Sequence, residues 1–381
     1  MPYSLYIHLP YCLVKCPYCD FNAYAAKSWP EEQYMDALAA ELRHYISQPP
    51  WAEQSIATIY FGGGTPSLFA PRSFARFLTL VSNLASIAED AEITLEADPA
   101  TVTPEKLSGY RAVGINRLSV GVQSFQPQLL KTLGRIHTPE DAHDTLTWAR
   151  AAGFANLSMD VIFAVPGQTP AMLADDLTLA HGHALEHLST YSLTYEEHTP
   201  FFAMKKKGTL RPVEEDDEVA MYLLIQERCV AAGYRHYEIS SFARPGFSAR
   251  HNANYWNGTS YLGLGAGAHS FSAASAWGTR WSNERLPRRY MEKALTHGTA
   301  TTTVETLTRE QAMSEFVFLN LRQLHGLTPA AFTARFGVDF DEQFPHVTDL
   351  LTEGLLTSTS GRLTLSPQGL LLADTIFASF V

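Results

Sequence analysis

The sequence predicts an α/β protein built as an incomplete, TIM-like (βα)6 barrel, followed by a small winged-helix-like α+β domain. Three observations carry this prediction. Strand-like and amphipathic helical runs alternate along the first two-thirds of the 381 residues; one face of each strand is polar where a filled barrel would be apolar; and the composition shifts near residue 300. Repeated βα units require parallel strands joined by right-handed crossovers.

Candidate strands fall at 4–9, 56–61, 92–97, 117–123, 157–163 and 188–195. Helices are expected at about 31–47, 72–87, 104–113, 139–152, 170–184 and 215–232. Side chains alternate along a strand, so Leu5, Ile7 and Leu9 share a face opposite Tyr6 and His8. The same division sets Ile93 and Leu95 against Thr94, Glu96 and Asp98. It also sets Leu118, Val120 and Val122 against Ser119 and Gln123, and Val161 and Phe163 against Asp160. A closed eight-stranded barrel fills its centre with branched apolar residues. A polar inner face therefore calls for a wider, open barrel with a ligand cavity.

Residues 234–242 read as a further strand, 251–267 as a Gly/Asn-rich stretch and 298–303 as a linker. Helical periods at 308–322, 328–335 and around 346–353 precede a Thr-Ser-Thr-Ser-Gly-Arg turn between Leu356 and Leu363. The expected divisions are 1–235 for the partial barrel, 236–303 for an extension of it, and 304–381 for the winged-helix-like domain. Winged helices often bind DNA, but Asp339, Asp341, Glu342, Asp349 and Glu353 favour packing or partner binding here.

A net charge of −11 argues against nucleic acid as the main partner. The run Lys205 to Lys207 is answered by Glu214 to Glu218, which reads as solvated surface. Four cysteines, three of them crowded together, do not make a secreted disulfide framework and imply a reducing, cytoplasmic setting. The N-terminus lacks the pattern of a secretory leader, and no run of 18 apolar residues is present.

Cys12, Cys16 and Cys19 form a C-x3-C-x2-C pattern directly after the first strand, with Tyr18 before the last cysteine. Three close thiolates suit an iron–sulfur cube with one iron left open. They equally suit a zinc site completed by His8, or plain reduced thiols. The turn at Gly62 to Pro66 lets backbone approach a ligand. Glu96, Gln123, Arg135 and Asp160 have the chemistry of ribose, ammonium and carboxylate partners, although each alone is commonly a structural ion-pair or hydrogen-bond partner. Gly263, Gly265 and Gly267 lack the helix and acidic follower of a dinucleotide fingerprint. A loop histidine such as His251 is commonly a turn residue, yet beside Tyr255 and Trp256 it has the chemistry of a haem ligand under aromatic cover. Cys229 reads as a buried small hydrophobe.

The cysteine spacing, with Tyr18, resembles the signature of the radical S-adenosylmethionine (SAM) superfamily. The stretches beginning at Tyr6, Gly62, Glu96, Gly121 and His251 stand in the order of the oxygen-independent coproporphyrinogen III oxidase-like family. The resemblance implies a [4Fe-4S] cluster on Cys12, Cys16 and Cys19 whose open iron is chelated by SAM. It implies SAM contacts from Gly63, Gly64, Thr65, Glu96, Gln123, Arg135 and Asp160, and adds Tyr6 and Tyr18 to the cofactor-binding set. The segment His251 to Trp256 resembles the H-N-x-x-Y-W motif of the haem chaperone branch, the HemW type, which implies haem contacts from His251 and Trp256. The oxidase carries a fourth cysteine where Phe21 stands, and an N-terminal extension, whereas this chain begins about five residues before Tyr6. The implied function is binding haem and delivering it to haem-requiring apoproteins, with transient contact with membrane haem proteins. The alternatives are porphyrinogen decarboxylation and radical chemistry on another substrate.

Overall fold

The computed structural model describes residues 2–381. Six parallel strands, β1 (Tyr3–Leu9), β2 (Ile56–Gly63), β3 (Ile87–Ala97), β4 (Arg117–Gln123), β5 (Asn156–Phe163) and β6 (His187–Ser192), lie side by side in chain order. Helices α1 (Glu31–Ile46), α2 (Pro71–Leu84), α3 (Pro104–Ala112), α4 (Pro139–Ala151) and α5 (Pro170–Gly182) connect them, and α6 (Glu215–Ala231) follows β6. Local chemistry marks several starts. Thr103, Thr138 and Thr169 each precede a proline and accept a backbone N–H of the first turn, and Thr138 forms a reciprocal box with Asp141. Proline costs nothing at a first turn whose N–H would lack a partner, and such caps contribute about 1 kcal/mol each.

β1 does not close onto β6. It pairs in parallel with β2 on one side and, on the other, with a strand from far along the chain. The remaining strands of this sheet are β7 (Arg235–Glu238), β8 (Ser241–Ala243), β9 (Tyr261–Leu264), β10 (His269–Ser272), β11 (Thr279–Asn283) and β12 (Thr301–Thr306). The twelve-stranded sheet runs β12-β11-β10-β9-β1-β2-β3-β4-β5-β6-β8-β7. The partial barrel is thus held open by antiparallel ribbons at both edges. Leu5, Ile7, Leu9, Leu118, Val120 and Val161 sit in the main core between sheet and helices, as the strand parity predicts.

Three expectations beyond residue 230 need correction. The strand expected at 234–242 is two, β7 and β8, because the chain reverses between them and β8 runs antiparallel to β6. Residues expected to be loop at 251–267 contain the helix Arg250–Trp256 and then β9. The expected linker at 298–303 leads into the edge strand β12, whose threonines pair with β11. β-branched threonine suits an exposed strand as well as a linker.

Helices Arg309–Leu321, Pro329–Phe336 and Val347–Thr352 and the hairpin Leu356–Thr359/Arg362–Leu365 enclose a second core that includes Val317, Leu327, Phe332, Phe336, Phe340 and Phe344. This module docks through backbone bonds, Ile239 N–H to the Arg322 carbonyl (3.2 Å) and Leu324 N–H to the Tyr237 carbonyl (3.0 Å). α1 is tied to the extension by Glu41. Its carboxyl accepts from the Gly265 amide, the Asn283 amide side chain and the Tyr290 hydroxyl at 2.6–3.0 Å. No helix among the described residues is long and apolar enough to cross a membrane.

Candidate functional site

Two cavities meet at the ends of β1, β2 and β3, the rim where parallel α/β sheets place ligands. The first, about 590 Å³, is lined by the cysteine loop and by the polar faces of β3, β4 and β5. The second, about 760 Å³, lies between β1, the extension and the C-terminal module. Phe21, Gly63 and Glu96 line both.

The cysteine loop leaves β1 and is anchored across the molecule. Asn22 donates to the Ala266 and Arg285 carbonyls, each at 2.9 Å. Cys12, Cys16 and Cys19 face the first cavity, and Tyr18 packs beside them against Phe201. Thr65 Oγ1 donates to Cys12 Sγ (3.3 Å), and Arg135 Nη1 lies 3.8 Å from Cys16 Sγ. Burial pushes the Cys12 thiol up to about 11. Gly63 ends β2 at φ +114°, and a Cβ there would lie 2.6 Å from the His8 ring. A Cβ on Gly64 would meet the Tyr11 carbonyl at 2.8 Å. Only glycine lets this turn reach the site.

Glu96 is held by the Tyr60 hydroxyl (2.8 Å) and the Gly63 amide (3.1 Å), and burial raises its carboxyl to about 7. Asp160 accepts from Ser119 at 3.4 Å, and burial raises its carboxyl as well. Gln123 ends β4 at φ 68°, uncommon for a non-glycine residue, and its Oε1 is buried without a partner. Such outliers concentrate at ligand sites. Arg135 is bound to Asp98 at 2.6 Å and to the Gly121 carbonyl at 2.9 Å. It therefore faces the cysteines, with its Nε unpartnered.

All of the predicted residues from Cys12 to Asp160 line the first cavity; Tyr6 lines the second instead. His251 lines neither. Its ring is buried, with Nδ1 2.8 Å from Thr58 Oγ1 and Nε2 2.8 Å from the Tyr255 hydroxyl, so a ligand role would need one of these bonds broken. Trp256 does face the second cavity, and its indole N–H is buried without a partner. Sequence reasoning missed Asp98, Tyr60, Arg117 and Arg322 in the wall of the first cavity. Asp98 could have been found, because it shares the polar parity of Glu96. Arg322 comes from the C-terminal module, and nothing in its local sequence points here.

The zinc alternative would need His8 to give up one of two bonds. His8 is bonded at Nδ1 to the Tyr6 hydroxyl (3.0 Å) and at Nε2 to the Asn22 carbonyl (2.9 Å). Among the described residues no three His, Cys, Asp or Glu side chains are gathered around one ion position.

A three-cysteine loop over the polar rim of an open parallel barrel defines the class, a radical SAM fold. Residues 6–180 match the Radical SAM superfamily, and residues 307–372 match the HemN C-terminal domain. A Bacillus subtilis protein named heme chaperone HemW is 34% identical over 380 residues, 99% of this chain and 99% of its own. An Escherichia coli protein of the same name is 34% identical over 384 residues, 100% of this chain and 98% of its own. The solved Escherichia coli coproporphyrinogen III oxidase (HemN), a radical SAM enzyme, matches with a TM-score of 0.85 at 25% identity, covering 100% of this chain and 90% of that one. The chain belongs to the radical SAM superfamily, in the HemW-type haem chaperone branch of the oxygen-independent coproporphyrinogen III oxidase-like family.

That family implies a [4Fe-4S] cluster and SAM. The residues present fit both: three thiols line one cavity, Cys229 is buried away in α6, and Gln123, Arg117 and Arg135 keep unpartnered buried atoms in the same wall.

Proposed function

We propose that the chain is a haem chaperone that binds haem in the second cavity and hands it to haem-requiring apoproteins, carrying a [4Fe-4S] cluster on Cys12, Cys16 and Cys19 with SAM beside it. The second cavity carries this reading. Its volume of about 760 Å³ lies within the usual range for small-molecule sites, about 300–1,000 Å³. Tyr6, Tyr255, Trp256, Phe271 and Phe316 offer aromatic faces to a flat macrocycle. Arg285 and Arg335 on the same wall suit propionate carboxylates. The names of the full-length relatives support the same reading.

A cluster held by three cysteines would supply an iron with an open position for the methionine end of SAM. The chain's own residues do the rest. Gly63, Gly64 and Thr65 leave backbone bare for the amino group. Glu96, Asp160 and Gln123 accept from hydroxyls or the ammonium. Arg135, fixed by Asp98, and Thr65 direct N–H and O–H groups at the Cys16 and Cys12 sulfurs, where hydrogen bonds tune a cluster. The acidic C-terminal module is the proposed surface for a receiving apoprotein, including membrane haem proteins met transiently.

Anaerobic reconstitution followed by parallel haem titration and coproporphyrinogen assays tests the proposal. The expected result is saturable haem binding and no conversion of coproporphyrinogen with SAM present. Steady conversion coupled to SAM cleavage, without haem binding, overturns it in favour of an oxidase.

A further inference from the structure

His251 belongs to neither cavity, yet it touches a wall of each. Its ring stacks on Tyr60, centroids 4.9 Å apart and planes 29° apart, and Tyr60 donates to Glu96 in the wall of the first cavity. On the other side its Nε2 meets the hydroxyl of Tyr255, which lines the second cavity. The hydrogen-bond directions are fixed by the surroundings. The Thr58 hydroxyl donates to Ser4 Oγ at 2.9 Å, so His251 Nδ1–H donates to Thr58 and Nε2 is left to accept from Tyr255. Burial lowers the imidazole to about 3, which keeps it neutral with one donor and one acceptor. Tyr255 is also wedged edge-on against Tyr261 at 4.6 Å. The motif histidine is therefore a spacer clamped between two tyrosines, each part of a different ligand wall.

We infer that His251 is a positioning residue that couples the two cavities, so that a ligand in one raises the affinity for a ligand in the other. The inference rests on haem being the occupant of the second cavity. Its physical basis is that Glu96, Tyr60, His251 and Tyr255 form one contiguous packed and hydrogen-bonded unit. Ordering that unit from one side leaves less ordering for the second ligand to impose, which produces positive cooperativity. Coupling must be reciprocal: haem tightens SAM by the factor with which SAM tightens haem.

The test measures SAM affinity on the cluster-reconstituted full chain, with and without saturating haem, together with the haem absorption spectrum. In the native chain haem should tighten SAM at least about fivefold, the lower end of usual couplings. Thr58→Val removes the acceptor of His251 Nδ1–H and lies outside both cavities. It should still bind haem with an unchanged spectrum, while the coupling falls below about twofold. His251→Phe keeps the stack on Tyr60 and should behave likewise. A changed haem spectrum in His251→Phe alone, with coupling intact in Thr58→Val, would make His251 an axial ligand and overturn the inference. Normal haem binding with no effect on SAM in the native chain overturns the inference and leaves the chaperone reading standing. Absence of haem binding removes both.

Discussion

The two cavities share Phe21, Gly63 and Glu96 but are assembled in opposite ways. The first is polar and draws mainly on the ends of consecutive parallel strands, so its residues recur with strand parity. The second is aromatic, and its walls come from β1, from residues 255–285 and from 307–335, segments that meet only in the folded chain. A site made from a repeating unit inherits the period of that unit. One made at the junction of several units has no period to inherit.

The largest effect that should separate them is at the cysteines. Replacing Cys12, Cys16 or Cys19 with serine should abolish cluster assembly, read as iron and sulfide content, while haem titration is preserved; Cys229→Ser should change neither. Haem binding lost with the cluster would mean that the cavities are not separable. Next comes the converse. Phe332 is fully buried and packs edge-on against Phe340 and Phe344 at 5.3 and 5.6 Å. Phe332→Ala should cost about 3–5 kcal/mol of stability in thermal or denaturant unfolding. It should weaken haem, whose wall includes Phe316 and Arg335, with iron content unchanged.

A pH effect should be somewhat smaller. Burial raises the Glu41 carboxyl from 4.5 to about 7, so the folded chain binds more protons than the unfolded one between those values. Stability therefore falls as pH rises through this window, by on the order of 3 kcal/mol from this group. Glu41→Gln should remove that contribution, visible as a flatter dependence of the unfolding midpoint on pH; an unchanged slope would mean the carboxyl is ionised at no cost. The smallest effect is local to the first cavity. Asp160→Ala should weaken SAM by about 1.5–3 kcal/mol, the range for a charged hydrogen bond, without touching haem affinity measured in the absence of SAM. Calorimetry on reconstituted protein reads both, and equal weakening of the two ligands would contradict the separation.

How much could be read in advance follows from the same contrast. The six parallel strands and the polar face carrying Glu96, Gln123 and Asp160 were legible, because alternation of side chains is written into strand sequence. Arg135 lines the first cavity, but its pairing with Asp98 was not legible, since an arginine's reach does not fix which carboxylate it finds. The surroundings of His251 were not legible for a related reason: the Asn-rich stretch reads as loop, and the helix Arg250–Trp256 is held by remote partners, including the Glu92 carboxylate that accepts the His251 amide at 3.0 Å. β9 and the edge strand β12 were read as loop and linker because glycine and threonine serve both, and only pairing with β1 and β11 decides between them.

The anchoring of the cysteine loop also sets a schedule. Asn22 is bound to the carbonyls of Ala266 and Arg285, 244 and 263 residues downstream, and β1 obtains its second neighbour only from β9. During synthesis at about 5–20 residues per second, the loop therefore emerges roughly 10–50 s before the segments that hold it. Through that interval the three thiols stand on an unfinished sheet, without the anchors that fix their loop in the folded chain.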